Sequence, residues 1–216
     1  MSAAVTPIDP AILALLQDAA RWRLLGRLFE CPSEAWRADI ERLAREAGEV
    51  ELGAAVAAAL AEATEGQYHS VFGPGGPAPP REVSYHDTLE LGSVMSSVAG
   101  YYDAFGYQPA LQESPDHVAV EVGFLSFLRF KQAFATADGD LERAAISRDA
   151  AESFRANHLA VVAERLAALL SESPLSYLQT ASRLLATRVG PLPGPKRLTV
   201  INQPIDDEGS DFACDA

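Results

Sequence analysis

Three residues stand close enough in the sequence to do chemistry together: Asp116, His117 and Glu121. On a helix, His117 and Glu121 lie four residues apart on one face, and Asp116 adds a second acid to the first turn. A metal site built on this pair needs a third and fourth ligand at matching geometry, and His69, His86 and His158 are scattered without a second paired spacing. Recognition of a guanidinium needs only the carboxylates, since Asp116 and Glu121 can accept charge-assisted, bidentate hydrogen bonds. The plain structural alternatives are a helix-surface ion pair, and an acid at Asp116 that favours the helix dipole by about 0.3–1 kcal/mol. The structural and the recognition readings are compatible.

No other constellation assembles a reaction. The chain lacks a G-x-S-x-G elbow, an H-E-x-x-H helix and a G-x-x-x-x-G-K-[ST] loop. Gly73-Pro74-Gly75-Gly76 has the outline of a phosphate cradle, but it carries no lysine, and its prolines donate no N–H. Cys31 and Cys214 are far apart, with no C-x-x-C pair, which argues against a disulfide framework and against a thiolate zinc site. Aromatic residues cluster around the Gly/Pro stretch. Tyr102 and Phe105 have core spacing, whereas Phe72 and Tyr85 fit either a core or the wall of a groove for an extended peptide.

The elements that must position these residues read as helices. Asp9-Pro10 opens the first as N-cap and N1 proline, and Cys31-Pro32 ends it. Ser33 caps a second, which stops near Gly48, and an alanine-rich third is expected from about Glu51 to Val71. The stretch from Phe72 to Pro80 can be neither helix nor central strand and reads as a semi-rigid loop. Asp87 caps a helix ending at Gly106, and Ser114-Pro115-Asp116 is expected to open the central one. That central helix is apolar nearly all round, through Val120, Phe124, Leu125, Phe127, Leu128 and Phe134. After the Asp138-Gly139-Asp140 turn, one long helix from Leu141 to Leu170 should turn Phe154, Leu159, Val162, Leu166 and Leu169 inward. Ser173-Pro174 starts the last, which ends before Gly190-Pro191. Only Leu198-Thr199-Val200-Ile201 reads as extended, and the tail from Asn202, with five acids and no Lys or Arg, reads as disordered. The expectation is an all-α protein: a flexible N-terminus over 1–8, a single compact bundle of about seven helices over 9–190 and an acidic tail over 191–216.

A chain of 216 residues can bury a full core, and a net charge of −13 disfavours nucleic-acid partners while attracting a basic one. The same acidity serves simple solubility. No apolar run is long enough to span a bilayer, and Met1–Pro7 lacks the features of a secretory signal, so a cytoplasmic location without membrane insertion is expected.

Several of these features fall in an order that resembles the TorD/DmsD/NarJ-type chaperones, which mature the molybdoenzymes of bacteria and archaea. They are Tyr68-x-x-x-Phe72-Gly73-Pro74-Gly75, Glu82 and Tyr85 after Pro79-Pro80, Tyr102-x-x-Phe105-Gly106, and Pro115-Asp116-His117-x-x-x-Glu121-x-x-Phe124-Leu125. Arg21-x-x-x-Leu25-x-x-Leu28-Phe29-x-x-Pro32 is similar to that family's opening helix, and the resemblance spans roughly residues 20 to 188. Ser114 stands where the family pattern has Glu before Pro-Asp-His, and Arg81-Glu82-Val83-Ser84-Tyr85 keeps only the Glu and the last Tyr of Tyr-Glu-Ser-x-Tyr. The resemblance implies a helical, non-enzymatic protein with no resident cofactor or metal. It implies binding to the N-terminal leader, a twin-arginine signal peptide included, and to the apo form of a molybdopterin oxidoreductase catalytic subunit until the cofactor is inserted and before export or complex assembly. It further implies that Phe72, Gly73, Pro74, Glu82, Tyr85, Asp116, His117 and Glu121 form or border the peptide site. A structural subunit of an oxidoreductase complex, and a metal-dependent enzyme using His117 and Glu121, are the alternatives. A monomer and a dimer domain-swapped through the proline-rich connection are both open.

Overall fold

The computed structural model describes residues 8–86 and 91–191. Asp87, the Leu198–Ile201 segment and the acidic tail lie outside the described residues. Within them the chain forms α1 (Pro10–Arg27), α2 (Glu34–Ala47), α3 (Val50–Glu62), α4 (Glu65–Phe72), α5 (Leu91–Phe105), α6 (Val118–Ala137), α7 (Leu141–Phe154), α8 (Ala160–Leu170) and α9 (Ser176–Val189). A π turn over Arg155–Leu159 joins α7 to α8, so these two form one rod, as the sequence predicts. No strand forms among the described residues, and no helix there is long and apolar enough to cross a membrane.

The helix ends follow local chemistry. The Asp9 side chain accepts from the Ala11 N–H, Ser33 accepts from Trp36, and Gly48 closes α2 in the left-handed conformation. The expected helix from Glu51 to Val71 is instead two, which raises the expected seven rods to eight. Thr64 breaks it by capping α4 through the Gln67 N–H. The Arg37 guanidinium then satisfies the end of α3, donating to the carbonyls of Leu60 (2.8 Å) and Ala63 (2.6 Å). The last helix starts at Ser176 rather than beside Ser173-Pro174, because the Ser173 hydroxyl accepts from the Leu175 N–H and holds a turn there.

α6 is the central element. It packs along α1 on one side and α7 on the other, while α8 and α9 pair with each other and α9 lies on α3. Gly26 lets α1 and α6 approach closely, since a Cβ there would stand 3.2 Å from the Ala119 carbonyl oxygen. The Ser126 hydroxyl ties the same pair, donating to the Ala19 carbonyl at 2.8 Å. Buried side chains from all nine helices join in one hydrophobic cluster. Among the expected core residues, Phe105 and Phe127 are partly buried against it, whereas Phe134, 58% exposed, and Leu169, 43% exposed, lie outside it. Phe134 lies beyond the part of α6 that α1 covers and packs instead on Phe130, with ring centroids 4.9 Å apart.

Candidate functional site

The central helix does not begin at Pro115. Ser114 to His117 forms a turn in which the His117 N–H donates to the Ser114 carbonyl, and α6 starts at Val118 with His117 as its N-cap. The backbone is diverted by the Gly/Pro segment. The Glu82 N–H donates to the Asp116 carbonyl and the Val118 N–H to the Pro80 carbonyl, both at 2.8 Å, making an isolated antiparallel bridge between Arg81 and His117. His117 and Glu121 therefore do not share an exposed helix face. One caps the helix and the other is buried inside its first turn.

Asp116 does grip a guanidinium, that of Arg81 in the same chain. The Arg81 Nε donates to Oδ1 at 2.9 Å, the Ser114 hydroxyl donates to the same oxygen at 2.5 Å, and the carboxylate is fully buried. His117 accepts the Ala119 N–H at Nδ1 (3.1 Å), which leaves Nε2 to carry the proton toward the Tyr68 hydroxyl at 3.4 Å. Burial, more than any charge around it, lowers the His117 pKa to about 4, so this cap is a neutral imidazole.

Glu82 sits at the centre of a second cluster. Its carboxylate receives the His86 ring at 2.7 Å and the His158 Nδ1 at 2.9 Å, and His158 Nε2 faces the Ser97 hydroxyl at 3.1 Å. Burial alone would raise the Glu82 carboxyl, but the bonds from His158 and His86 outweigh it and hold it below the usual carboxylate range. Glu121 shows the reverse. It is fully buried, no donor reaches either oxygen, and burial followed by the neighbouring Glu82 charge pushes its carboxyl well up. A proton on Glu121, shared toward Glu82, is the state this geometry supports.

The remaining predicted site residues fasten the same segment. The Tyr85 hydroxyl donates to the Pro79 carbonyl at 2.6 Å, and Arg165 donates to the Tyr85 carbonyl. Phe72 is buried against Tyr68 with centroids 5.1 Å apart. Gly73 follows α4 so tightly that a Cβ would stand 2.4 Å from the His69 carbonyl oxygen. Pro74 is exposed at the tip. The structure thus brings Asp116, His117, Glu82 and Glu121 together as one buried support, with Phe72 and Tyr85 packed beside it. Among the eight, Gly73 and Pro74 alone reach the surface appreciably.

Behind that support lies a groove of about 650 Å³, walled by α1, by the first half of α6 and by the connection carrying Tyr107 and Leu111. Leu13, Leu16, Ala20 and Phe127 make its apolar lining, and Phe130 carries the apolar surface onward to Phe134. Arg23, Arg27, Glu30 and Glu46 gather at its charged end. Glu30 pairs with Arg27, which also holds Asp39 at 2.7 Å. Burial raises the Glu30 carboxyl to about 7, against the pull of Arg27 and Arg23. The buried support touches this groove through one residue: Ala119, capped by His117, lines its wall. The groove was not foreseen from the sequence, nor were Arg81 and His158 as partners of Asp116 and Glu82.

The model of the nitrate reductase delta subunit family matches residues 30–173, about two thirds of the chain. The chain belongs to that family, and the family is one of redox-enzyme maturation chaperones. Among solved structures, one from Archaeoglobus fulgidus, described as that of a candidate redox enzyme maturation protein, shares the fold. It has a TM-score of 0.53 and 17% identity, and the alignment covers 88% of this chain and 99% of that one. No curated protein matches the chain.

Proposed function

We propose that this chaperone holds the N-terminal leader and apo form of a molybdopterin oxidoreductase catalytic subunit until the cofactor is inserted, before export or complex assembly. The observation that carries this reading is the groove between α1 and α6: an apolar trough of the shape and chemistry that an apolar or amphipathic segment of a client fills. The net charge of −13 adds steering toward a basic leader. Asp116, His117, Glu82 and Glu121 act on the client indirectly, by fixing the start of α6 and hence the groove wall. Pro74 and Gly73 border the far side of that support, where an emerging client chain can meet them.

Isothermal titration of the full chain with the leader peptide, and with the apo catalytic subunit, of a co-encoded molybdoenzyme tests the reading. Saturable binding is expected, and absence of binding to both partners overturns it. The family model's description as a subunit keeps a second reading alive, in which the chain is a stable component of the oxidoreductase. Purification of the mature, cofactor-loaded enzyme separates them: a chaperone leaves, and a subunit is retained in stoichiometric amount.

A further inference from the structure

Beside the groove, but not among the residues of its lining or of the support, three metal-ligating side chains converge. Cys31 lies in the connection between α1 and α2, and Glu65 and His69 stand one turn apart on α4. The Cys31 thiol, a Glu65 carboxylate oxygen and a His69 ring nitrogen all lie within 4.8 Å of one another. No other group of three such ligands occurs among the described residues. Ligands around a tetrahedral zinc ion sit at about 2.0–2.3 Å from it, hence about 3.5 Å from each other, so small rotations of the two α4 side chains close the set. Both have room to make them, since His69 and Glu65 are exposed while Cys31 is half-buried. Burial is the main influence on the Cys31 thiol, followed by the nearby carboxylates of Glu65 and Glu113, whose negative charge favours a cation. The same surroundings disfavour a nucleophilic cysteine, whose thiolate wants positive neighbours.

We propose that Cys31, Glu65 and His69 form a divalent transition-metal site, with Zn²⁺ the ion that this donor set suits best. One thiolate, one imidazole and one carboxylate match the borderline-soft preference of zinc, and a fourth position stays open to solvent or to a client ligand. The ion staples α4 to the α1–α2 connection. Glu30, at the charged end of the groove, is the next residue along that connection, so metal occupancy orders one end of the groove.

Cobalt(II) titration of the reduced full chain tests this, because thiolate ligation gives a near-ultraviolet charge-transfer absorption that oxygen and nitrogen ligands do not. The expected result is one equivalent bound with that absorption, displaced by Zn²⁺, unchanged in Cys214→Ser and lost in Cys31→Ser. His69→Ala, at an exposed position that leaves folding intact, weakens binding by more than about tenfold, the loss that removing even an outer-shell partner causes. Absence of the absorption in the wild type, its survival in Cys31→Ser, its loss in Cys214→Ser, or unaltered affinity in His69→Ala each overturns the proposal.

Discussion

At the scale of single residues, the acids and histidines that look like a binding site do their work inside the protein. Asp116 neutralises Arg81, Glu82 holds two histidines, and His117 caps α6 as a neutral ring. Substituting Asp116 removes the buried acceptor shared by Arg81, the Ser114 hydroxyl and the Val83 N–H, which is why an Asp116 substitution reports on folding before it reports on client binding. His117 gives a cleaner test. Its pKa falls from 6.5 to about 4 on folding, so the unfolded chain takes up the proton first. The stability this group contributes is complete above pH 6.5 and is lost as the pH falls toward 4, by on the order of 3 kcal/mol. His117→Asn keeps a good N-cap and removes the titration. Urea unfolding at pH 7 and pH 4.5 should show the variant losing less stability on acidification than the wild type. Glu30 titrates with the opposite sign, its raised pKa costing stability as the pH climbs toward 7, so the variant comparison and not the wild-type curve isolates His117.

At the scale of elements, the helix ends were the legible part. Asp9-Pro10, Ser33, Gly48, Gly106 and Asp140 stop or start helices as their chemistry dictates, because capping is decided within one turn of chain. Two boundaries needed information from elsewhere. Pro115 looks like an N1 proline, but the backbone there is spent on Pro80 and Glu82, more than 30 residues away. The break at Ala63 and Thr64 interrupts an alanine-rich run and depends on Arg37 of α2 reaching the open carbonyls of α3. Thr64→Ala should cost about 1 kcal/mol in urea unfolding, the value of a lost N-cap, if α4 is an independent helix. No measurable change would mean that α3 and α4 behave as the single helix the sequence suggested. Glu82 and His158 are 76 residues apart, and no local pattern could have paired them.

At the scale of the whole molecule, composition foretold an acidic helical bundle and the ordered motifs foretold its family. Neither foretold the groove, because its lining is ordinary: Leu13, Leu16 and Ala20 read as one more buried stripe on α1, and only the packing of α1 against α6 shows that they are left partly uncovered. The predicted peptide-site residues stand behind this wall, so under the proposed function they support the site without forming its surface.

The most direct measurement is the affinity of the leader peptide for Ala20→Trp, which fills the groove from α1, compared with wild type by isothermal titration. The account predicts that binding falls by at least about tenfold, as expected when a central pocket of an interface is blocked, while the thermal unfolding curve stays in place. Wild-type affinity in a correctly folded Ala20→Trp protein would contradict it and would move the client to another face of the bundle.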